Sequence, residues 1–255
     1  MNNRTEEPNI EEMLEKLRNM KFSGMAEELR LQIEDPNSDL LNFWERFPKL
    51  VDAEWTLRQD KKLRRYLKKA HLRFPGACFD EMLYLPERQL NVQTVERLKT
   101  CEWIDEGRNL LLTGLTGTGK SYFSNAIAIA ALKQYKTVRY YKSSILLKEI
   151  DALRMQNEAI KLLEFIEELS KVDLLILDDF GLMELDVIKC RDLFEILDGR
   201  EGRRSTIVIS QIPVKDWYDL FKESTYADAC LDRLLSKAYR LDFQGESLRN
   251  KKCTS

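Results

Sequence analysis

From Ile10 to about Ala70 apolar side chains recur three and four positions apart: Met13, Leu14, Leu17 and Met20, then Leu40, Leu41, Trp44, Phe47, Leu50 and Val51. That period traces one face of an α-helix, and no part of the stretch alternates as a strand would. Asp35-Pro36-Asn37-Ser38 interrupts it as an inter-helix turn, and Phe74-Pro75-Gly76 ends it, because proline disfavours helix at its own position and the one before. A linker is expected near residues 74–90. Beyond it the pattern changes to short apolar runs at Asn109–Thr113, Thr137–Lys142, Val172–Asp178, Thr206–Ser210 and Tyr239–Phe243, separated by helical intervals. Five such strands joined by helices predict a parallel sheet with crossover helices, preceded by a small all-helical domain. The expected division is 1–75 for the helical domain and 76–255 for the α/β domain.

Composition narrows the class. Of 255 residues, 44% are hydrophobic and 33% charged, with 10 Gly and 6 Pro, so the chain is neither disordered nor low in complexity. The longest apolar runs, Ala126–Leu132 and Leu174–Leu177, are core-sized, far short of the ~20 residues that span a bilayer. The start, MNNRTEEPNIEE, is acidic and lacks an apolar segment, which predicts a cytoplasmic protein. Five cysteines, odd in number, far apart and never in CxxC spacing, argue against a disulfide framework or a zinc site. The single histidine, His71, stands in a basic run, so a Ser/His/Asp triad or a His-ligated metal lacks its parts.

One loop carries strong chemistry. The strand at Asn109–Thr113 runs into Gly114-Leu115-Thr116-Gly117-Thr118-Gly119-Lys120-Ser121 and then the helix-like SYFSNAIAIAALKQY, the GxxxxGK[ST] motif in its required strand-to-helix context. Glycines let the backbone close tightly around phosphate oxygens, so that successive N–H groups and a helix N-terminus point at the anion. The candidate nucleotide-binding residues are Gly114, Thr116, Gly117, Thr118, Gly119, Lys120, Ser121 and Tyr122. Lys120 supplies charge near the β/γ-phosphates of ATP, and the Ser121 hydroxyl is placed to ligate Mg²⁺.

Leu174–Leu177 is an apolar run that ends in Asp178-Asp179, as a strand buried on both faces would. Asp178 would hold the Mg²⁺ shell, and Asp179 would orient or deprotonate the attacking water. Aspartate is one methylene shorter than the glutamate usual at the second position, which predicts slow turnover suited to a timed switch. The fourth strand ends in Ser210-Gln211, where either polar side chain is placed to sense the γ-phosphate or the water. Arg233, in the amphipathic ADACLDRLL, is open to two readings: a surface ion-pair partner, or a group that reaches a neighbouring subunit's γ-phosphate.

Taken together, GLTGTGKSYFSNAIAIAA, VDLLILDDFGL, RRSTIVISQIPVKDWY and STYADACLDRLLSKAYRLDFQGESLR resemble the IstB-like insertion-sequence helper ATPases, AAA+ proteins close to the DnaC/DnaI helicase loaders. The resemblance covers about residues 60–252. It implies an α/β AAA+ P-loop core and an ATPase that oligomerises as a ring or spiral on duplex DNA, bends it, and recruits and activates a transposase. It carries over Gly114, Gly117, Gly119, Lys120 and Ser121 for the nucleotide, Asp178 for Mg²⁺, Asp179 for hydrolysis, Gln211 or Ser210 as sensor, and Arg233 as an inter-subunit finger. Leu115 stands where the family commonly has proline, and the second acid is Asp where it has Glu. The chain stops soon after GESLR, so a full helical lid is not expected; Arg249 is a weak substitute for it.

Net charge is −2, yet Arg58, Lys61, Lys62, Arg64, Arg65, Lys68, Lys69 and Arg73 face a single acid, Asp60, within residues 58–73, a local charge of +7. With Trp55 and Tyr66 nearby, the run suits sequence-independent contact with the DNA backbone; the bland reading is a solvated helix face. The competing functions are a helicase loader, a P-loop small-molecule kinase, and a scaffold that binds ATP without cleaving it.

Overall fold

The computed structural model describes residues 9–80, 82 and 88–248. Their packing groups the chain into two units, Met1–Arg65 and Tyr66–Ser255, with the dividing line inside a helix.

The first unit holds α1 (Ile10–Asn19), α2 (Ser23–Glu34), a 3₁₀ turn at Pro36–Leu40 and most of α3 (Phe43–Ala70). Asn9 caps α1 by accepting from the Glu12 N–H at 3.3 Å. Glu54 is the organising residue. Buried on α3, it accepts from the Gly24 and Met25 N–H groups at 2.7 and 3.3 Å, satisfying donors at the start of α2 that have no partner within the helix. Arg58 donates to the same carboxylate at 2.7 Å and lies over the Phe22 ring.

The second unit takes in the end of α3, then α4 (Val92–Lys99) and α5 (Glu102–Asp105), and goes on with parallel strands joined by helices: β1 (Leu110–Gly114), α6 (Lys120–Lys133), β2 (Val138–Lys142), α7 (Ser143–Met155), α8 (Ala159–Lys171), β3 (Leu174–Phe180), α9 (Val187–Arg200), β4 (Ser205–Ser210), two 3₁₀ turns, α10 (Ser224–Leu235) and β5 (Tyr239–Phe243). The strands pair in parallel in the order β2-β3-β4-β1-β5. All five strands expected from the apolar runs are present. Leu110, Leu111, Leu112, Leu174, Leu175, Ile176, Ile207 and Val208 are fully buried, as strands covered on both faces require. No described helix is long and apolar enough to cross a membrane.

Arg200, fully buried at the end of α9, fastens three elements. Its guanidinium donates to the carbonyls of Leu169, Val172 and Ser205 and to the Thr206 hydroxyl, and burial pulls its pKa down to about 9. Removing the donors orphans buried acceptors, so Arg200→Met is expected to cost about 2–4 kcal/mol. A urea midpoint unchanged from the parent would contradict this.

Candidate functional site

Sheet order brings the carboxyl ends of β1, β4 and β3 side by side, the location where open parallel sheets bind ligands. β1 delivers the glycine-rich loop there, β4 delivers Ser210 and Gln211, and β3 delivers the paired aspartates.

The loop's shape depends on residues without side chains. Gly114 has φ +128°, and a Cβ on it would stand 2.3 Å from the Phe243 carbonyl oxygen; Gly117 has φ +78°, and a Cβ there would strike Ser247. Lys120, the first residue of α6, is buried and curls back over the loop, donating to the carbonyls of Gly114 and Leu115 at 2.6 and 2.7 Å. Burial lowers its pKa, against the pull of Asp178, Asp179 and Asp242. Thr118 is also buried and donates to the Leu115 carbonyl at 2.8 Å, closing the loop internally, while Thr116 is exposed. Ser121 follows Lys120 in the first turn of α6, and its carbonyl is held by Ser124 and Asn125. Tyr122 packs beside Phe74, and its hydroxyl accepts from the Cys78 N–H at 3.3 Å. Past β5 the chain crosses this loop: the Leu248 N–H donates to the Gly117 carbonyl at 2.9 Å, and Arg88 holds the carbonyls of Gln244 and Glu246. Ser247 and Leu248 of GESLR thus lie on the phosphate loop; Arg249 falls outside the described residues.

The two aspartates have separate environments. Asp178 is 1% exposed; Tyr140 Oη donates to one carboxylate oxygen at 2.5 Å and the Asp179 N–H to the other at 2.8 Å. That pair of donors fixes the plane of the carboxylate, and burial beside Asp178 raises the Tyr140 pKa strongly, so the phenol stays a donor. Between Leu177 and Phe180 the register with β4 shifts, and Asp179 adopts φ +57°. This bulge turns Asp179 out of the ladder, where its carboxylate lies 3.2 Å from Lys142 Nζ. The left-handed conformation is compatible with the short acid. Aspartate and asparagine visit it more readily than glutamate, so the short acid suits the bulge at this position. Asp178 and the Ser121 hydroxyl offer only oxygen donors, the set that Mg²⁺ prefers, so these residues fit that ion.

Three expected site residues are placed otherwise than the sequence suggested. The Ser210 hydroxyl is buried and donates to the Phe180 carbonyl at 2.7 Å while accepting from the Ile212 N–H, so it locks strand ends together; Gln211 is the exposed member of the pair. Arg73 is directed at Asp178, 4.0 Å away, apart from its basic companions. Arg58 is tied to Glu54. Lys61, Arg64, Arg65 and Lys68, spaced three and four apart, share one exposed face of α3.

Arg233 is remote from its own chain's loop. Asn109, which precedes β1, donates to the backbone carbonyls of Arg233 and Leu234, whereas the loop leaves the far end of that strand. Its guanidinium bonds Asp198 on α9 and Glu201 just past that helix, and stacks over Phe194 at 4.6 Å. Tyr140, Lys142 and Ser143, whose hydroxyl donates to the Asp178 carbonyl at 3.0 Å, went unnoticed in the sequence. Strand order β2-β3, which pairs Lys142 with Asp178, is the signal that finds them.

The site's geometry agrees with a family relationship. The model of the IstB-like ATP binding proteins matches residues 15–255. The chain belongs to that family. A protein of Sinorhizobium fredii (strain NBRC 101917 / NGR234), named as an insertion sequence ATP-binding protein, is 38% identical over 236 residues, covering 92% of this chain and 95% of the relative. Among solved structures, DnaI superposes with a TM-score of 0.56 at 21% identity over 71% of this chain and 94% of that one. The DnaC helicase loader does so with 0.55 at 19% identity, over 68% and 99%. These likenesses establish an AAA+ P-loop-type fold in a member of an ATP-binding, insertion-sequence-associated family.

Proposed function

We propose that this IstB-like protein is an ATP-hydrolysing switch of transposition, acting in the cytoplasm. Copies gather on duplex DNA with ATP between neighbours, bend the duplex, and recruit the transposase of the same element. Gly114 to Tyr122 hold the triphosphate, Lys120 carrying the main charge. Ser121 and Asp178 would hold Mg²⁺, which supplies charge neutralisation of the phosphates. Asp179 activates water, Gln211 senses the γ-phosphate, and the exposed basic face of α3 grips the DNA backbone. The helical segment, residues 1–75, serves DNA and partner contact, and residues 76–255 form the ATPase.

The observation that carries this reading is the position of Arg233. The Arg233 backbone accepts from Asn109 just ahead of β1, so the side chain does not serve the loop at that strand's far end; to reach a neighbour's nucleotide its guanidinium exchanges Asp198 and Glu201 for the phosphate. Insertion-sequence relatives at 38% identity favour a transposition role over helicase loading, since the loader structures match at only 19–21%.

Mixing subunits tests it. Lys120→Ala and Arg233→Ala proteins, each inactive alone, are expected to recover part of their ATPase activity on mixing, because some interfaces then combine an intact loop with an intact arginine. No recovery at any ratio would remove the shared site.

A further inference from the structure

Arg73 stands where the basic run meets the site. His71, at φ +53°, turns the chain just past the end of α3. The next residues are pinned to α6: the Phe74 N–H donates to Asn125 Oδ1 at 3.0 Å, and the Cys78 N–H to Tyr122 Oη at 3.3 Å. Arg73 stacks on Phe74, its ring 5.3 Å from the guanidinium, and points Nη1 at Asp178 Oδ2, the oxygen that also accepts from Tyr140. The carboxylate is 1% exposed and the arginine side chain 35%. A buried carboxylate is costly without a compensating cation. Lys120 also feels the Asp178 charge but spends its donors on loop carbonyls, and Lys142 pairs with Asp179, so among the described residues Arg73 is the cation within ion-pair distance of Asp178.

We propose that Arg73 is a positioning residue that balances the charge of Asp178 while no metal is bound, and that its guanidinium gives way when a divalent cation arrives. The inference rests on the nucleotide-binding reading of this site. Arg73 thereby competes with the metal, whereas Tyr140, which orients the carboxylate, assists it.

Binding of Mn²⁺ to the full chain with ATP, followed by electron paramagnetic resonance, separates the two roles. R73Q is expected to lower the half-saturating Mn²⁺ about fivefold. R73K, which keeps the charge, should match the parent, and Y140F should raise the half-saturating value about tenfold. If R73Q binds Mn²⁺ as the parent does, or more weakly, the placeholder role is wrong while nucleotide binding stands. If the parent itself takes up no Mn²⁺ with ATP, both readings fall.

Discussion

Asp179→Asn is expected to lower ATP hydrolysis by about 10²- to 10⁴-fold, the usual worth of a positioned general base, while ATP binding persists. The substitution is nearly isosteric, and asparagine tolerates the left-handed backbone that Asp179 adopts at φ +57°, so the bulge in β3 should survive. What is lost is the carboxylate's ability to take a proton from water and its attraction to Lys142, 3.2 Å away. Single-turnover phosphate release measures the effect. A retained rate would assign water activation to another group.

Lys120→Ala is expected to weaken ATP binding by roughly 100-fold, since two charge-assisted hydrogen bonds to phosphate are worth about 3 kcal/mol together. The Lys120 ammonium group donates to the Gly114 and Leu115 carbonyls, and burial lowers its pKa. A triphosphate would offer it a formal negative charge where the loop offers only neutral oxygens, so it is expected to exchange them for phosphate. Titration with a fluorescent ATP analogue reads the loss. Affinity equal to the parent's would mean that the nucleotide sits elsewhere.

Much of this was readable from the residues. The strand at Leu174–Leu177 announced itself because burial on both faces demands an unbroken apolar run, and GxxxxGK[ST] fixed the loop because three positive-φ glycines have few substitutes. The period of α1 to α3 likewise showed through as apolar spacing. What stayed hidden depends on which strands become neighbours. Tyr140 and Lys142 look like ordinary strand residues until β2 pairs with β3 and sets them beside Asp178. The bulge at Asp179 was also invisible, since a register shift of one residue leaves no compositional trace. Ser210 and Gln211 were indistinguishable as a pair; only the close approach of the Phe180 carbonyl shows the serine hydroxyl to be spent. Arg73 looked like one more charge in a basic run because helical spacing does not reveal that the chain turns at His71.

In the proposed switch, ATP joins one copy to the next on a double helix. Mass photometry of the purified chain on a short duplex, with and without ATP and Mg²⁺, tests this directly. Multi-copy complexes that require the nucleotide, and that disappear in the Lys120→Ala protein, are the expected result. The same distribution of single copies and the same DNA affinity in every condition would contradict it.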